Sequence, residues 1–141
     1  METLYQPALA GETEQHSPSF PALRDPRYPV HRMADRLEPY LRMIVEKFQP
    51  IKIILFGSYA YGQPTEHSDV DLLIIRDGIQ SERQSDLEIR KAFWKLPRPS
   101  LSFTVITKTS ASLRDQLAHK SFFFREILER GVVVYGAPET F

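Results

Sequence analysis

Apolar residues recur at steps of three and four between residues 33 and 48, a period that predicts an amphipathic helix. A proline is tolerated in a regular helix only within the first turn, so Pro39 predicts that this helix begins near Arg36. The pair Gln49-Pro50 is expected to end it. The predicted core-facing side chains are Met33, Leu37, Tyr40, Leu41, Ile44, Val45 and Phe48.

Four short apolar runs rich in β-branched residues predict buried strands. They comprise residues 51–56, 70–75, 101–107 and 132–135. The stretch 57–68 between the first two runs contains two glycines and a proline, which is typical of a loop.

Three further helices are predicted between and after these strands. The first contains a capping-box pattern, Ser85-Asp-Leu-Glu88, which opens or re-caps it, and Pro97 is expected to end it. Its apolar residues are Leu87, Ile89, Phe93 and Leu96. The other two are short helices over residues 110–118 and 122–130.

The lengths of the connections predict how the strands pair. The twelve residues 57–68 are too few for a comfortable crossover helix, so the first two strands are expected to be antiparallel. About 25 residues with a good helix separate the second and third strands, which suits a parallel crossover. The predicted fold is α/β, a small mixed sheet flanked by helices. The end of the first strand would then meet the starts of the second and third at one edge.

Residues 1–30 differ in composition from the rest of the chain. They hold five of the eleven prolines and carry four acids against two bases. We predict an irregular or mobile arm at 1–30 and a domain at 31–141. The alternative is a strap that packs on the domain or on a partner.

The overall charge and cysteine content exclude several classes of protein. Eighteen basic residues balance eighteen acidic ones, which argues against binding an extended nucleic acid but not against binding one nucleotide. The absence of cysteine excludes disulfide scaffolds, thiol nucleophiles and cysteine-ligated zinc. No apolar run approaches the length of a membrane helix and the first residues lack a signal-peptide pattern, so a cytoplasmic protein is expected.

Two polar features flank the predicted strands at the edge where they meet. The first strand ends in Gly57-Ser58, and the second begins with Asp69-Val-Asp71. Carboxylates at positions i and i+2 of a strand point to the same face, where their repulsion favours a cation. Mg²⁺ is a hard ion bound by one or two carboxylates together with phosphate oxygens. Alone, Gly57-Ser58 could be an ordinary turn and Asp69-Val-Asp71 an ordinary solvated start of a strand. Together, at this spacing, they indicate a metal–triphosphate site.

The segments Gly57-Ser-Tyr-Ala-Tyr-Gly62 and Ser68-Asp-Val-Asp-Leu-Leu-Ile-Ile75 resemble the signature of the DNA polymerase β-type nucleotidyltransferase superfamily, in its small, minimal branch. The resemblance covers about residues 36–136. It implies Mg²⁺-dependent transfer of AMP from ATP to an acceptor hydroxyl. It also implies that Gly57 and Ser58 bind the triphosphate, and that Asp69 and Asp71 bind the metals and are catalytic.

Two positions depart from this family pattern. The family usually has a third carboxylate on the third strand, where this chain has Thr104 or, after a two-residue slip, Ser102. Neither is acidic, so the metal nearest the acceptor is expected to bind weakly. The family often has Arg where this chain has Tyr61, and the lost charge is expected to weaken triphosphate binding.

The resemblance leaves two principal functions open. In the minimal branch, the enzyme is commonly paired with a HEPN-domain protein as a toxin–antitoxin system, and it silences that partner by adding AMP to a tyrosine. The alternative is a nucleotide-binding or partner-binding module with little or no transfer activity, which the missing third acid favours. A weaker third possibility is modification of a small hydroxylated compound.

Several other residues have ordinary structural interpretations. His67 is expected to be a solvated loop residue, Trp94 a packing or interface residue, and Phe122-Phe-Phe124 part of the core and of a helix-packing edge. A loose basic set is expected to be largely solvated, with one member able to reach the triphosphate. That set is Lys108, Arg114, Lys120 and Arg125.

Overall fold

The computed structural model describes residues 18–96 and 101–137 of the 141-residue chain. Two 3₁₀ turns, Pro21–Arg24 and Pro29–Met33, precede the regular elements. The helices are α1 Ala34–Phe48, α2 Ser58–Tyr61, α3 Glu82–Phe93, α4 Ser110–Ala118 and α5 Phe122–Arg130. The strands are β1 Lys52–Phe56, β2 Val70–Ile75, β3 Phe103–Lys108 and β4 Val132–Tyr135. In these described ranges, no helix combines the length and apolar character needed to span a bilayer.

The four strands form one mixed sheet in the order β3-β2-β1-β4. Strands β1 and β2 are antiparallel, β2 and β3 are parallel, and β4 joins β1 antiparallel. Phe56 lies opposite Asp71, and Asp71 lies opposite Thr104. The predicted α/β class and both predicted pairings are therefore confirmed, as is the meeting of three strand ends at one edge.

Helices cover both faces of the sheet, which explains why all five residues of β1 are buried. On one face, α1, α3 and the N-terminal 3₁₀ turns enclose the larger core; on the other, α4 and α5 enclose a smaller one. Alternate residues of β2 supply the two cores, Leu72 and Ile74 on the first face and Leu73 and Ile75 on the second. Asp71 shares the second face with Leu73 and Ile75.

The described part of the predicted arm packs against the domain. Phe20, Leu23 and Val30 are buried in the larger core, and the Phe20 ring lies 6.2 Å from the ring of Tyr135. Residues 18–30 thus pack on the domain, and its core includes residues on both sides of residue 30. The prolines initiate two 3₁₀ turns that aim these apolar side chains inward. Residues 1–17 lie outside the described residues.

The start of α1 was predicted wrongly, and α3 begins before the Ser85 pattern that was expected to open or re-cap it. Helix α1 begins at Ala34, two residues before the predicted start, and contains Pro39 in its second turn. The preceding 3₁₀ turn leads into it without a break. Helix α3 begins at Glu82, because the Ser81 hydroxyl accepts a hydrogen bond from the Gln84 N–H. The helix ends at Phe93, before the predicted end at Pro97, which itself lies outside the described residues.

Ser85, the first residue of the predicted capping box, lies inside α3 and is buried. Its hydroxyl lies 3.2 Å from the Thr107 hydroxyl and accepts a hydrogen bond of 2.7 Å from Arg76. A buried hydroxyl needs partners of this kind, so Ser85 joins α3 to the sheet and does not cap the helix.

Helix α3 also covers the outer side of the edge strand β3. The Asp86 carboxylate accepts a hydrogen bond of 2.7 Å from the Thr107 N–H, and the Glu82 carboxylate accepts one of 2.9 Å from the Thr109 N–H. These backbone groups have no further strand to pair with, so the two carboxylates replace one. Burial raises the pKa of the Asp86 carboxyl, against the effect of its bonds to Thr107.

Candidate functional site

The site forms where β1 ends and where β2 and β3 begin. Asp71 lies in the middle of this row, with Phe56 opposite it on one side and Thr104 on the other. Asp69 immediately precedes β2, and Gly57 immediately follows β1. The two predicted acids and the predicted glycine turn are therefore brought to one edge of the sheet.

Gly57 allows the chain to pass unusually close to the Asp71 carboxylate. Its φ is +76°, in the region that side chains disfavour, and a Cβ built on it would lie 2.0 Å from Asp71 Oδ2. The turn and the carboxylate are therefore in close contact, and only glycine fits at position 57.

Helix α2 begins directly at this turn. The Gly57 carbonyl accepts hydrogen bonds from the Ala60 and Tyr61 N–H groups, at 3.0 and 3.1 Å. The N–H groups of a first helical turn have no partner within the helix, which leaves those of Ser58 and Tyr59 available to an anion. Gly62 closes the turn against Ser58, because a Cβ there would lie 2.8 Å from Ser58 Cα.

The two acids have different environments. Asp69 is exposed, whereas Asp71 is half-buried. Burial raises the pKa of the Asp71 carboxyl, and the negative charge of Asp69 raises it further, while a hydrogen bond with Thr104 opposes both effects. Ionised Asp71 therefore lacks compensating positive charge, a condition that a bound cation would relieve.

Thr104, not Ser102, lies against the acids. Its side chain is hydrogen-bonded to Asp71, whereas Ser102 is exposed and its carbonyl accepts a hydrogen bond of 2.8 Å from the Val70 N–H. Within residues 18–96 and 101–137, no group of three His, Asp or Glu side chains lies close enough together to hold a metal ion. The position predicted for a third ligand thus holds a hydroxyl that is already bonded to the second acid.

A polar cavity of about 530 Å³ adjoins this edge. Ser68 and Val70, which flank Asp69, line it together with Arg36, Tyr59 and Ser102. Val70 belongs to the larger core, on the face of the sheet opposite Asp71. The two acids and the Gly57-Ser58 turn do not line the cavity, so it adjoins the candidate site without containing it. His67, which also lines it, is exposed, as predicted, and lies 3.6 Å from Glu66.

One residue at this edge was missed by the sequence reasoning. The Arg130 guanidinium lies over the Tyr61 ring, 4.3 Å from its centre. By contrast, Lys108 of the predicted basic set is bonded to Glu82 at 3.3 Å and lies over the Phe124 ring. Arg130 is the last residue of α5, far from Tyr61 in the chain, so no local pattern indicates the contact.

The nucleotidyltransferase domain family model matches residues 38–133, which is well over half of the chain. The chain belongs to this family. The match agrees with the extent of the motif resemblance, about residues 36–136, and confirms both the predicted family and the predicted enzyme class, a nucleotidyltransferase.

Two proteins of Methanocaldococcus jannaschii, each named "Putative protein adenylyltransferase", are similar in sequence. One is 47% identical over 49 residues, covering 33% of this chain and 33% of the relative. The other is 36% identical over 87 residues, covering 60% of this chain and 77% of the relative. A crystal structure of a putative nucleotidyltransferase from Sulfolobus solfataricus superposes on this chain with a TM-score of 0.47 and 16% sequence identity. The superposition covers 78% of this chain and 86% of the Sulfolobus solfataricus chain.

The close contact between Gly57 and Asp71 predicts that one added methyl group at position 57 greatly reduces the stability of the fold. Gly57→Ala is expected to destabilise the fold by about 2 kcal/mol or more, because it combines backbone strain with a clash against Asp71. Gly78→Ala is the control for a positive φ, since Gly78 has nearly the same φ, +77°, but open space around it. It should cost about 1 kcal/mol. Urea unfolding of both variants measures the difference, and equal costs would contradict a clash with Asp71.

The raised pKa of Asp71 predicts a pH-dependent stability. A carboxyl with a raised pKa in the folded state contributes stability at low pH that is lost as pH rises through that pKa. In metal-free buffer, Asp71→Asn should therefore melt above the parent at neutral pH, and the difference should shrink as the solution is acidified. Asp69→Asn should show a smaller gain because Asp69 is exposed. Thermal melts between pH 4 and 8 test this, and a constant difference between Asp71→Asn and the parent would contradict it.

Proposed function

We propose that this chain transfers AMP from ATP to an acceptor hydroxyl, with Mg²⁺ held by Asp69 and Asp71. The observation that carries the proposal is the approach of the Gly57 turn to the Asp71 carboxylate, with the start of α2 beside it. A metal-binding acid and a phosphate-binding turn in contact form the arrangement that a metal–triphosphate complex requires. Membership of the nucleotidyltransferase domain family supports the proposal.

The donor set suits one Mg²⁺ ion. Two carboxylates, one of them insufficiently compensated, are ligands of the kind this ion prefers, and triphosphate oxygens and water would complete its shell. A bound Mg²⁺ would neutralise charge on the triphosphate and on the leaving pyrophosphate. A second ion on the acceptor side would have fewer charged ligands, because Thr104 contributes a hydroxyl.

The chain's own groups would hold the nucleotide and orient it. The N–H groups of Ser58 and Tyr59, with the Ser58 hydroxyl, would donate to phosphate oxygens. In the transfer, the acceptor oxygen forms a bond to the α-phosphorus, the bond from that phosphorus to pyrophosphate breaks, and the hydroxyl proton leaves to a base. Thr104 cannot serve as that base, since a hydroxyl is a poor proton acceptor.

The acceptor in this proposal is a hydroxyl on a protein. The two Methanocaldococcus jannaschii relatives are each named "Putative protein adenylyltransferase", which supports that class of acceptor. The resemblance to the minimal branch supports a tyrosine of a HEPN-domain partner, with the chain acting as the antitoxin.

A second candidate function is nucleotide or partner binding without transfer. The hydrogen bond between Thr104 and Asp71 favours this second function. The bond uses one of the two acids as an acceptor, and Thr104 brings no negative charge to the position of the third metal ligand. The two functions predict the same nucleotide binding and differ in transfer.

The first test is nucleotide binding. We expect ATP to bind with Mg²⁺ and much less well without it, and the double variant Asp69→Asn with Asp71→Asn to lose the Mg²⁺-dependent part while remaining folded. Calorimetric titration measures the binding, and melting curves check the fold. Equal ATP affinity in the parent and the double variant would refute the proposed site. Transfer of labelled AMP to a candidate HEPN-domain partner then separates the two functions: transfer supports the enzyme, and ATP binding without transfer to any partner tested supports the module.

The missing acid gives a second prediction. Thr104→Asp would place a carboxylate against Asp71, so the metal-free protein should be less stable than the parent and should recover with Mg²⁺. AMP transfer to the true acceptor should rise. Ser102→Asp is the control, because Ser102 is exposed and should show neither effect. Melts at several Mg²⁺ concentrations and the transfer assay give the readouts; a Thr104→Asp variant that behaves like Ser102→Asp would remove position 104 from the metal site.

A further inference from the structure

The proposed phosphate turn has no positive side chain of its own. No Lys or Arg occurs between Phe56 and Arg76, while Glu66, Asp69 and Asp71 all lie in that stretch. A triphosphate carries several negative charges, and neutral N–H groups offset only part of them. Besides a metal ion, a cation that meets the triphosphate must therefore come from another element.

Arg130 is in a position to supply that cation. Its guanidinium lies 4.3 Å from the centre of the Tyr61 ring, a distance at which the ring face attracts it. Tyr61 is the last residue of α2, and its N–H donates to the Gly57 carbonyl at 3.1 Å. The ring thus holds a positive charge against the short helix α2, whose first residue is Ser58.

The Arg130 guanidinium is also available for a ligand. Its side chain is 54% exposed, and its ion pair with Glu126 is 3.3 Å long, between exposed residues one turn apart on α5. Such exposed pairs contribute little to stability, so a phosphate can displace Glu126. Two other cations are already committed: Lys108 to Glu82, and Arg76 to Ser85 and the Phe48 carbonyl.

We propose that Arg130, held against Tyr61, binds the β- or γ-phosphate of the nucleotide. The planar guanidinium forms two parallel hydrogen bonds to phosphate oxygens, which an ammonium group cannot reproduce. This inference rests on the proposed function, since it concerns the same nucleotide. It adds a residue from α5 to a site otherwise built from β1, α2 and β2, and it gives α5 a role in recognising the number of phosphates.

The experiment compares ATP with AMP in the presence of Mg²⁺, by calorimetric titration of the full chain. Arg130→Gln is expected to weaken ATP binding roughly tenfold, as the loss of a charge-assisted contact does, and to change AMP binding little. The ATP affinity of Arg130→Lys should fall between those of Arg130→Gln and the parent, because lysine keeps the charge and loses the two parallel hydrogen bonds of the guanidinium. Arg125→Gln, another exposed arginine on α5, is the matched control and should leave both affinities unchanged.

The outcomes separate this inference from the proposed function. If the parent binds ATP and Arg130→Gln binds it equally well, Arg130 has no role at the triphosphate, although the proposed function stands. An equal loss for ATP and AMP, or the same loss in Arg125→Gln, would also overturn the inference. If the parent itself fails to bind ATP with Mg²⁺, the proposed function fails and this inference fails with it. Melting curves check that each variant folds.

Discussion

The contact between the Gly57 turn and the Asp71 carboxylate constrains the edge of the sheet where the candidate site lies. The carboxylate occupies the space where any other residue at position 57 would have its Cβ, so the turn and the acid cannot move independently. Asp71 is in turn fixed by its place in the ladder, opposite Phe56 and Thr104. A phosphate held by the turn and a metal held by the acid would therefore be positioned by one rigid unit. Positioning of this kind accounts for much of the rate enhancement in phosphoryl transfer.

The hydrogen bond between Thr104 and Asp71 has two opposing effects. It satisfies a half-buried carboxylate that has no cation among its hydrogen-bond partners, and so it limits the rise in that group's pKa. A carboxylate at position 104 would do the reverse, adding a third negative charge to Asp69 and Asp71. The stability of the metal-free protein and the affinity for a second metal ion are therefore in conflict at this position, and the present chain has the more stable arrangement.

Much of the fold could be predicted because it depends on local patterns and chain lengths. The strands β2 and β4 and the helices α4 and α5 begin and end where expected, since glycine, proline and cap residues mark them. The short and long connections around β2 determined its antiparallel and parallel neighbours. Two errors were local, because α1 accommodates Pro39 in its second turn and Ser81 caps α3. The third concerns contacts between distant residues. Ser85 has the sequence of a cap but is held by Arg76 and Thr107.

In the candidate site too, residues in local sequence patterns could be predicted, whereas residues placed by contacts between distant segments could not. Gly57, Ser58, Asp69 and Asp71 lie in two short segments whose spacing is visible in the sequence, and the topology brings them together. Thr104 could be placed only to within two residues, because a strand repeats every second position, and the ladder resolved it against Ser102. Arg130 could not be found, since its contact with Tyr61 depends on how α5 crosses the sheet.

The carboxylates of α3 have a consequence for association with other chains. An uncovered edge strand accepts a further strand from a neighbouring molecule, which leads to recognition of extended peptides or to aggregation. The outward N–H group of Thr107 in β3, and that of Thr109 just after the strand, are already occupied by Asp86 and Glu82. A foreign strand would have to displace both carboxylates and leave them without partners. The C-terminal end of this edge is thereby protected from growth of the sheet, so an extended peptide is not expected to pair with it there.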